Sequence, residues 1–227
     1  MKKAGKASGA VQSDFWPIMR NLLPTAGLLL VMTGVAAAQT FEIGPMGGLS
    51  RPSRTALGSL SLSGGRDDDT KMKGEYGYGA RFTWNPHQYY GHELGYMRSR
   101  ATIVAKIRDG SSVTDREGRI YNQQASYNFM MYMMPRGERF RPFITVGLML
   151  TEYGQPGFAE WDAGKSRNYG GNYGGGLKIK LVKNALVRLD ARQYLGGKPY
   201  GLQFADPARS GGLYRQLEAT AGFSVTF

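Results

Sequence analysis

The sequence predicts an all-β chain, an eight-stranded antiparallel up-and-down barrel of the transmembrane type, and three observations predict it. The C-terminal segment alternates apolar and polar residues without a break up to a terminal aromatic. Seven upstream segments repeat the same two-residue period. The connections between the eight alternate long and short along the chain. A strand sends successive side chains to opposite faces, so each such segment has one greasy and one polar wall. Lipid outside and polar filling inside require that pattern.

The chain begins with a different signal. Lys2, Lys3, Lys6 and Arg20 form a long basic region, Leu22–Val35 is apolar apart from Pro24 and a few small polar residues, and Ala36-Ala37-Ala38 is an A-x-A cleavage pattern. This predicts a secretory signal peptide over 1–38, cut between Ala38 and Gln39, and one mature domain over 39–227. The apolar run is short for a membrane-spanning helix and ends in small residues. Four of the 29 Lys+Arg and one of the 17 Asp+Glu precede the cut, leaving 25 against 16, a mature charge of +9. The absence of Cys excludes disulfides, thiolate zinc and a lipid-anchored Cys.

Phe41–Leu49 is the weakest strand, because Pro45 removes a ladder donor. Glu75–Trp84 sets Tyr76, Tyr78, Ala80, Phe82 and Trp84 against Glu75, Arg81 and Thr83. Tyr90–Met97 is shorter. Tyr121–Met133 and Phe143–Tyr153 alternate aromatic or aliphatic residues with Asn, Gln, Ser, Thr and Gly. Asn172–Leu181, Leu186–Tyr194 and Leu217–Phe227 complete the set. The expected long loops are Arg51–Lys73, Arg98–Arg119, Gly154–Arg167 and Leu195–Leu213. The short turns are Asn85–Tyr89, Met134–Arg141 and Lys183–Ala185. Four long outer loops and three short periplasmic turns fit a membrane meander and not a Greek-key sandwich. Aromatics fall near both strand ends, with Tyr76, Tyr96, Tyr121, Tyr153, Tyr169, Tyr194 and Tyr214 expected at the outer interface.

The Gly-rich Asn172-Tyr-Gly-Gly-Gly-Leu-Lys, the strand Val187-Arg-Leu-Asp-Ala-Arg and the terminal Gly222-Phe-Ser-Val-Thr-Phe227 follow a signal-like segment. In these features the chain resembles the small eight-stranded outer-membrane proteins, the OmpA-like transmembrane-barrel and opacity-type porin superfamily. The resemblance covers 39–227 and implies residence in the cell outer membrane. It also implies that Phe223, Val225 and Phe227 carry the signal read by the outer-membrane barrel assembly machinery.

Eight strands enclose a space just wide enough for side chains. The predicted inward set places Glu42, Glu75, Glu93, Asp190 and Glu218 against Arg81, Lys178, Lys180, Arg188 and Arg192. Buried charges need partners. If the short turns pivot on His87 and Asn184, Arg81 faces Glu93 and Lys178 faces Asp190. This lumen network is expected to be structural.

Nothing in the sequence favours catalysis, a cofactor or a metal. The two His lie at the periplasmic end of the reading, and Asp67-Asp-Asp69 lacks the spacing of a calcium loop. Gly170–Gly176 lacks a phosphate-loop ending. The expected function is a non-enzymatic surface, structural or adhesion-type barrel, with a narrow porin for small solutes as the alternative. The second loop carries six basic residues against three acids and the first carries five against three. Such loops suit outer-membrane lipid and lipopolysaccharide phosphates, and a signal peptide argues against nucleic acid.

Overall fold

A computed structural model describes residues 40–53, 55–60, 70–109, 111–204 and 212–227. The expected signal segment and its cut lie outside these residues, as does Asp67–Asp69. The strands are β1 (Phe41–Pro52), β2 (Lys71–Trp84), β3 (Tyr90–Asp109), β4 (Ser112–Tyr132), β5 (Phe140–Tyr153), β6 (Ser166–Val182), β7 (Ala185–Gly196) and β8 (Tyr214–Thr226). Each pairs antiparallel with the next, and β1 pairs with β8 to close the barrel. The predicted fold class is the one found.

Pro45 is accommodated without a bulge. The β1–β8 register passes from Ile43↔Val225 to Met46↔Gly222 with the bonded ladder interrupted over Gly44 and Pro45. The missing donor therefore costs one local gap and no change of register.

The outer wall is apolar over its short-turn half. Leu49, Leu94, Val146, Leu148, Leu217 and Val225 are 45–68% exposed. A continuous aliphatic surface of this kind is avoided by soluble monomers.

The largest departure from expectation is Arg98–Arg119, read as a loop. It is a hairpin, paired without interruption from Arg98↔Gln123 to Asp109↔Ser112. Within β3 the hydropathy changes phase while the backbone does not. Leu94 and Tyr96 face out and Glu93 faces in; farther along, Arg98 and Lys106 face out while Ala101, Ile103 and Ala105 are buried inside. Strands β2, β4, β5, β7 and β8 turn apolar residues inward at a similar height. Lys71 and Lys73 flank an inward Met72, and Ile120, Tyr153, Tyr194 and Tyr214 all turn inward. Tyr153, Tyr194 and Tyr214 are thus core residues and not interface aromatics, and at the opposite end Phe143 is buried inside as well.

Above that height the barrel holds an apolar core. Leu57 and Leu60 after β1, and Tyr200 and Leu202 after β7, pack on Met72, Ile103, Ile120, Tyr153 and Tyr214, with Phe158 and Trp161 against them. The Trp161 and Tyr200 rings meet edge-on at 4.7 Å, and the Tyr200 hydroxyl donates to the Gly154 carbonyl at 2.5 Å. A bridge between Ser59 and Gln203 ties the two covering segments together. The long-loop end is therefore closed by packing.

Candidate functional site

The lumen below this core is polar, and its charges come from alternate positions on six strands. Glu42 (β1), Arg81 (β2), Glu93 (β3), Lys178 (β6), and Arg188, Asp190 and Arg192 (β7) are all buried, with Glu218 (β8) beside them. Four carboxylates face four cations.

Two networks divide these groups. In the larger, Asp190 accepts from Arg81 at 2.5 Å, from Arg188 Nε at 3.0 Å and from Arg192 Nε at 3.1 Å. Glu93 accepts from Arg192 at 2.6 Å and also from Arg188. Thr83 Oγ1 and Asn128 Nδ2 add bonds to Glu93 at 3.3 Å. The Arg188 guanidinium also lies 4.4 Å from the Phe143 ring centroid. In the smaller network Lys178 donates to Glu42 at 2.6 Å and to the Tyr132 hydroxyl at 2.9 Å, while Asn85 Nδ2 donates to Glu42 at 2.9 Å. Glu218 stands apart, with the Tyr194 hydroxyl at 3.5 Å.

The predicted members mostly assemble here, but not in the predicted pairs. Arg81 is opposite Gly95, and Glu93 is opposite Thr83, because the β2–β3 turn is centred on Gln88 and not His87. Lys178 is opposite Arg188, and Asp190 is opposite Gly176, with an irregularity between Lys180 and Val182. Both registers lie two residues from those expected, so the facing sets are right and the partners are not. The long side chains then reach across the lumen.

Glu75 leaves the network altogether. An extra residue between Gly74 and Gly77 disrupts the β2–β3 ladder, and Glu75 bonds to Thr102 Oγ1 at 2.7 Å, away from the charged lumen. Lys180, inward in the sequence reading, is only partly buried at the short-turn mouth.

This packing leaves little free space. The cavity beside Glu93, Asp190, Arg192 and Glu218 is about 10 Å³, near the minimum for a single water. Phe223, Val225 and Phe227 lie on the outer wall, 42%, 45% and 50% exposed. Phe227 exchanges two 3.0 Å backbone bonds with Phe41 at the seam, and their rings stack at 6.0 Å.

No family model matches the sequence, and no curated protein is similar to it. Solved structures share the fold. The outer membrane protein OprG from Pseudomonas aeruginosa superposes with a TM-score of 0.57 at 16% identity, over 82% of this chain and 95% of that one. Neisserial surface protein A gives 0.52 at 15% identity, over 84% and 99%. The N-terminal β-barrel domain of Pseudomonas aeruginosa OprF gives 0.50 at 14% identity, over 84% and 99%. In fold the chain is a small eight-stranded outer-membrane barrel. Identity this low carries the architecture and nothing about role.

Proposed function

We propose that the protein is a non-catalytic resident of the outer membrane, with a filled lumen and a surface or structural role. The inversion of hydropathy along β3 and its neighbours carries this reading. Where the outer wall meets lipid, apolar residues face out. Where the strands rise into water, the apolar set turns inward and charge turns outward. In β4 the lipid-facing part runs from Tyr121 to Met131. Ten steps at about 3.3 Å, tilted by about 40°, span about 25 Å, the height of an outer-membrane apolar band.

This orientation puts the long loops outside and the short turns in the periplasm. It also supports lipopolysaccharide as a partner. Arg98 and Arg100 stand on the outer wall at the inversion, over the rings of Tyr121 (4.7 Å) and Tyr76 (5.1 Å) respectively. Neither has an ion pair among the described residues, and guanidinium groups match phosphate oxygens well. Phe223, Val225 and Phe227 lie outward at the last strand, where the assembly machinery could read them.

The narrow-pore alternative requires a continuous water path. The two ion-pair networks and the apolar core above them oppose it, since each would have to move aside. Planar-bilayer recording of the refolded chain is the test, on samples first checked for heat-modifiable gel migration. The expected result is a migration shift with no steady conductance. Reproducible channels would overturn the filled-lumen reading. A monodisperse fold without detergent would overturn the membrane reading.

A further inference from the structure

A second polar region sits at the short-turn mouth, below the lumen networks. A cavity of about 40 Å³ opens there, bounded by five cations, Arg136, Arg141, Lys178, Lys180 and Lys183, and two carboxylates, Glu42 and Glu138. The surplus of positive charge is local and uncompensated. Glu42 is already engaged by Lys178 at 2.6 Å. Arg136 donates to the Asn85 carbonyl and to Thr40 Oγ1 at 3.2 Å, and Arg141 donates to the carbonyls of Met134 at 3.2 Å and Gln88 at 2.5 Å. Carbonyl oxygens fix both guanidinium groups in place without cancelling their charge. The Arg141 guanidinium is further held over the Tyr132 ring at 3.4 Å.

Two side chains that line this cavity each carry a buried polar atom, Arg136 Nε and Thr226 Oγ1, that makes no hydrogen bond among the described residues. Buried donors left unmatched cost free energy, so their placement beside a cationic cavity calls for an acceptor. The Lys180 and Lys183 amines also make no hydrogen bond or ion pair among the described residues. The space holds about three waters, at roughly 10–15 Å³ each. A single phosphate or carboxylate group fits that volume; a sugar or nucleotide does not.

We infer that this mouth cavity is a binding site for one small oxyanion, a phosphate or carboxylate group, presented from the periplasmic side. Held donors from Arg136 and Arg141 form its base. Lys180 and Lys183 supply mobile charge at its rim, and the Thr226 hydroxyl supplies a directional donor. The orientation toward the periplasm rests on the reading above; the cavity and its charge do not.

The test is isothermal titration of the mature chain, refolded in neutral detergent, with inorganic phosphate at an ionic strength held constant by chloride. Acetate forms a second arm. The site predicts saturable binding of phosphate, of acetate, or of both, and the responding arm assigns the group. The Lys180→Gln/Lys183→Gln variant should bind at least tenfold more weakly, and Thr226→Val should weaken binding with all charges retained. Heat-modifiable migration of each sample shows that the barrel is folded, so lost binding is not lost structure. No saturable heat in either arm, or unchanged affinity in the double lysine variant, would overturn the inference. Conductance results do not bear on it.

Discussion

Arg81 and Asp190 meet at 2.5 Å across the lumen, from strands β2 and β7 that share no edge. The contact ties opposite walls of the barrel together. Its neighbours Arg188 and Arg192 bridge Asp190 to Glu93, so three guanidinium groups share two carboxylates. Each substitution therefore strands charge on the far wall.

Arg81→Ala and Asp190→Ala should each lower the unfolding free energy by about 3–5 kcal/mol, since both side chains are almost wholly buried. The double variant should lose less than the sum, by roughly 0.5–3 kcal/mol. Denaturant unfolding in detergent or lipid vesicles measures both. Arg81→Ala with Glu93→Ala should show weaker coupling, because these two residues make no direct contact. Strict additivity for Arg81 and Asp190 would contradict the cross-lumen pair.

Glycine at position 176 is a packing requirement. A Cβ there would lie 2.6 Å from Asp190 Cβ and 2.7 Å from the Phe143 ring. Gly176→Ala should destabilise the barrel by about 1–3 kcal/mol. At Gly171 the nearest atom to an added Cβ is 3.5 Å away, so Gly171→Ala should be tolerated. Equal unfolding midpoints for the two variants would rule out the steric argument.

Phe227→Ala removes the ring stacked on Phe41 but leaves the two backbone bonds of the seam. In vitro the loss should be about 0.5–1.5 kcal/mol. If the terminal aromatic is also read during assembly, the amount of folded barrel in cells should fall further than that loss explains. Wild-type amounts at low expression would leave Phe227 a structural role alone.

Arg98→Gln with Arg100→Gln should weaken lipopolysaccharide binding by about two- to thirty-fold, as expected for two exposed ionic contacts. The effect should diminish with added salt. Titration with lipopolysaccharide-containing vesicles, against zwitterionic vesicles as control, reads it directly. A loss of the same size on zwitterionic vesicles would point away from phosphate recognition.

The ring of eight strands was legible because period-two patterning survives wherever one face meets lipid. The terminal Leu217–Phe227 segment shows this most clearly. The lumen set was legible for the same reason, since Arg81, Glu93, Arg188, Asp190, Arg192 and Glu218 all share the polar phase. Partners were not, because they depend on turn geometry: a shift of two residues keeps a side chain on its face and changes what it faces. Glu75 was misplaced by one extra residue at a bulge. The β3–β4 hairpin was hidden by its own change of phase. Charged Arg98, Arg100 and Lys106 read as loop until Ala101, Ile103 and Ala105 are seen as an inward stripe. Tyr153, Tyr194 and Tyr214 were assigned by height alone, and above the inversion an aromatic is drawn to the core. The apolar cover of the long-loop end was invisible, since Leu57, Leu60 and Tyr200 sit in segments without periodicity.

The seam between β1 and β8 also fixes when folding can finish. Phe41 opens the first strand and Phe227 lies just beyond the last, so the bonds that complete the ring join the two ends of the barrel sequence. A chain truncated before Tyr214 would present two raw strand edges, and in hydrocarbon each unmatched backbone group costs several kcal/mol. Partial products therefore have no stable resting place in lipid. Closure of the ring is thereby nearly all-or-none, with the pairing of β8 against β1 as its completing step.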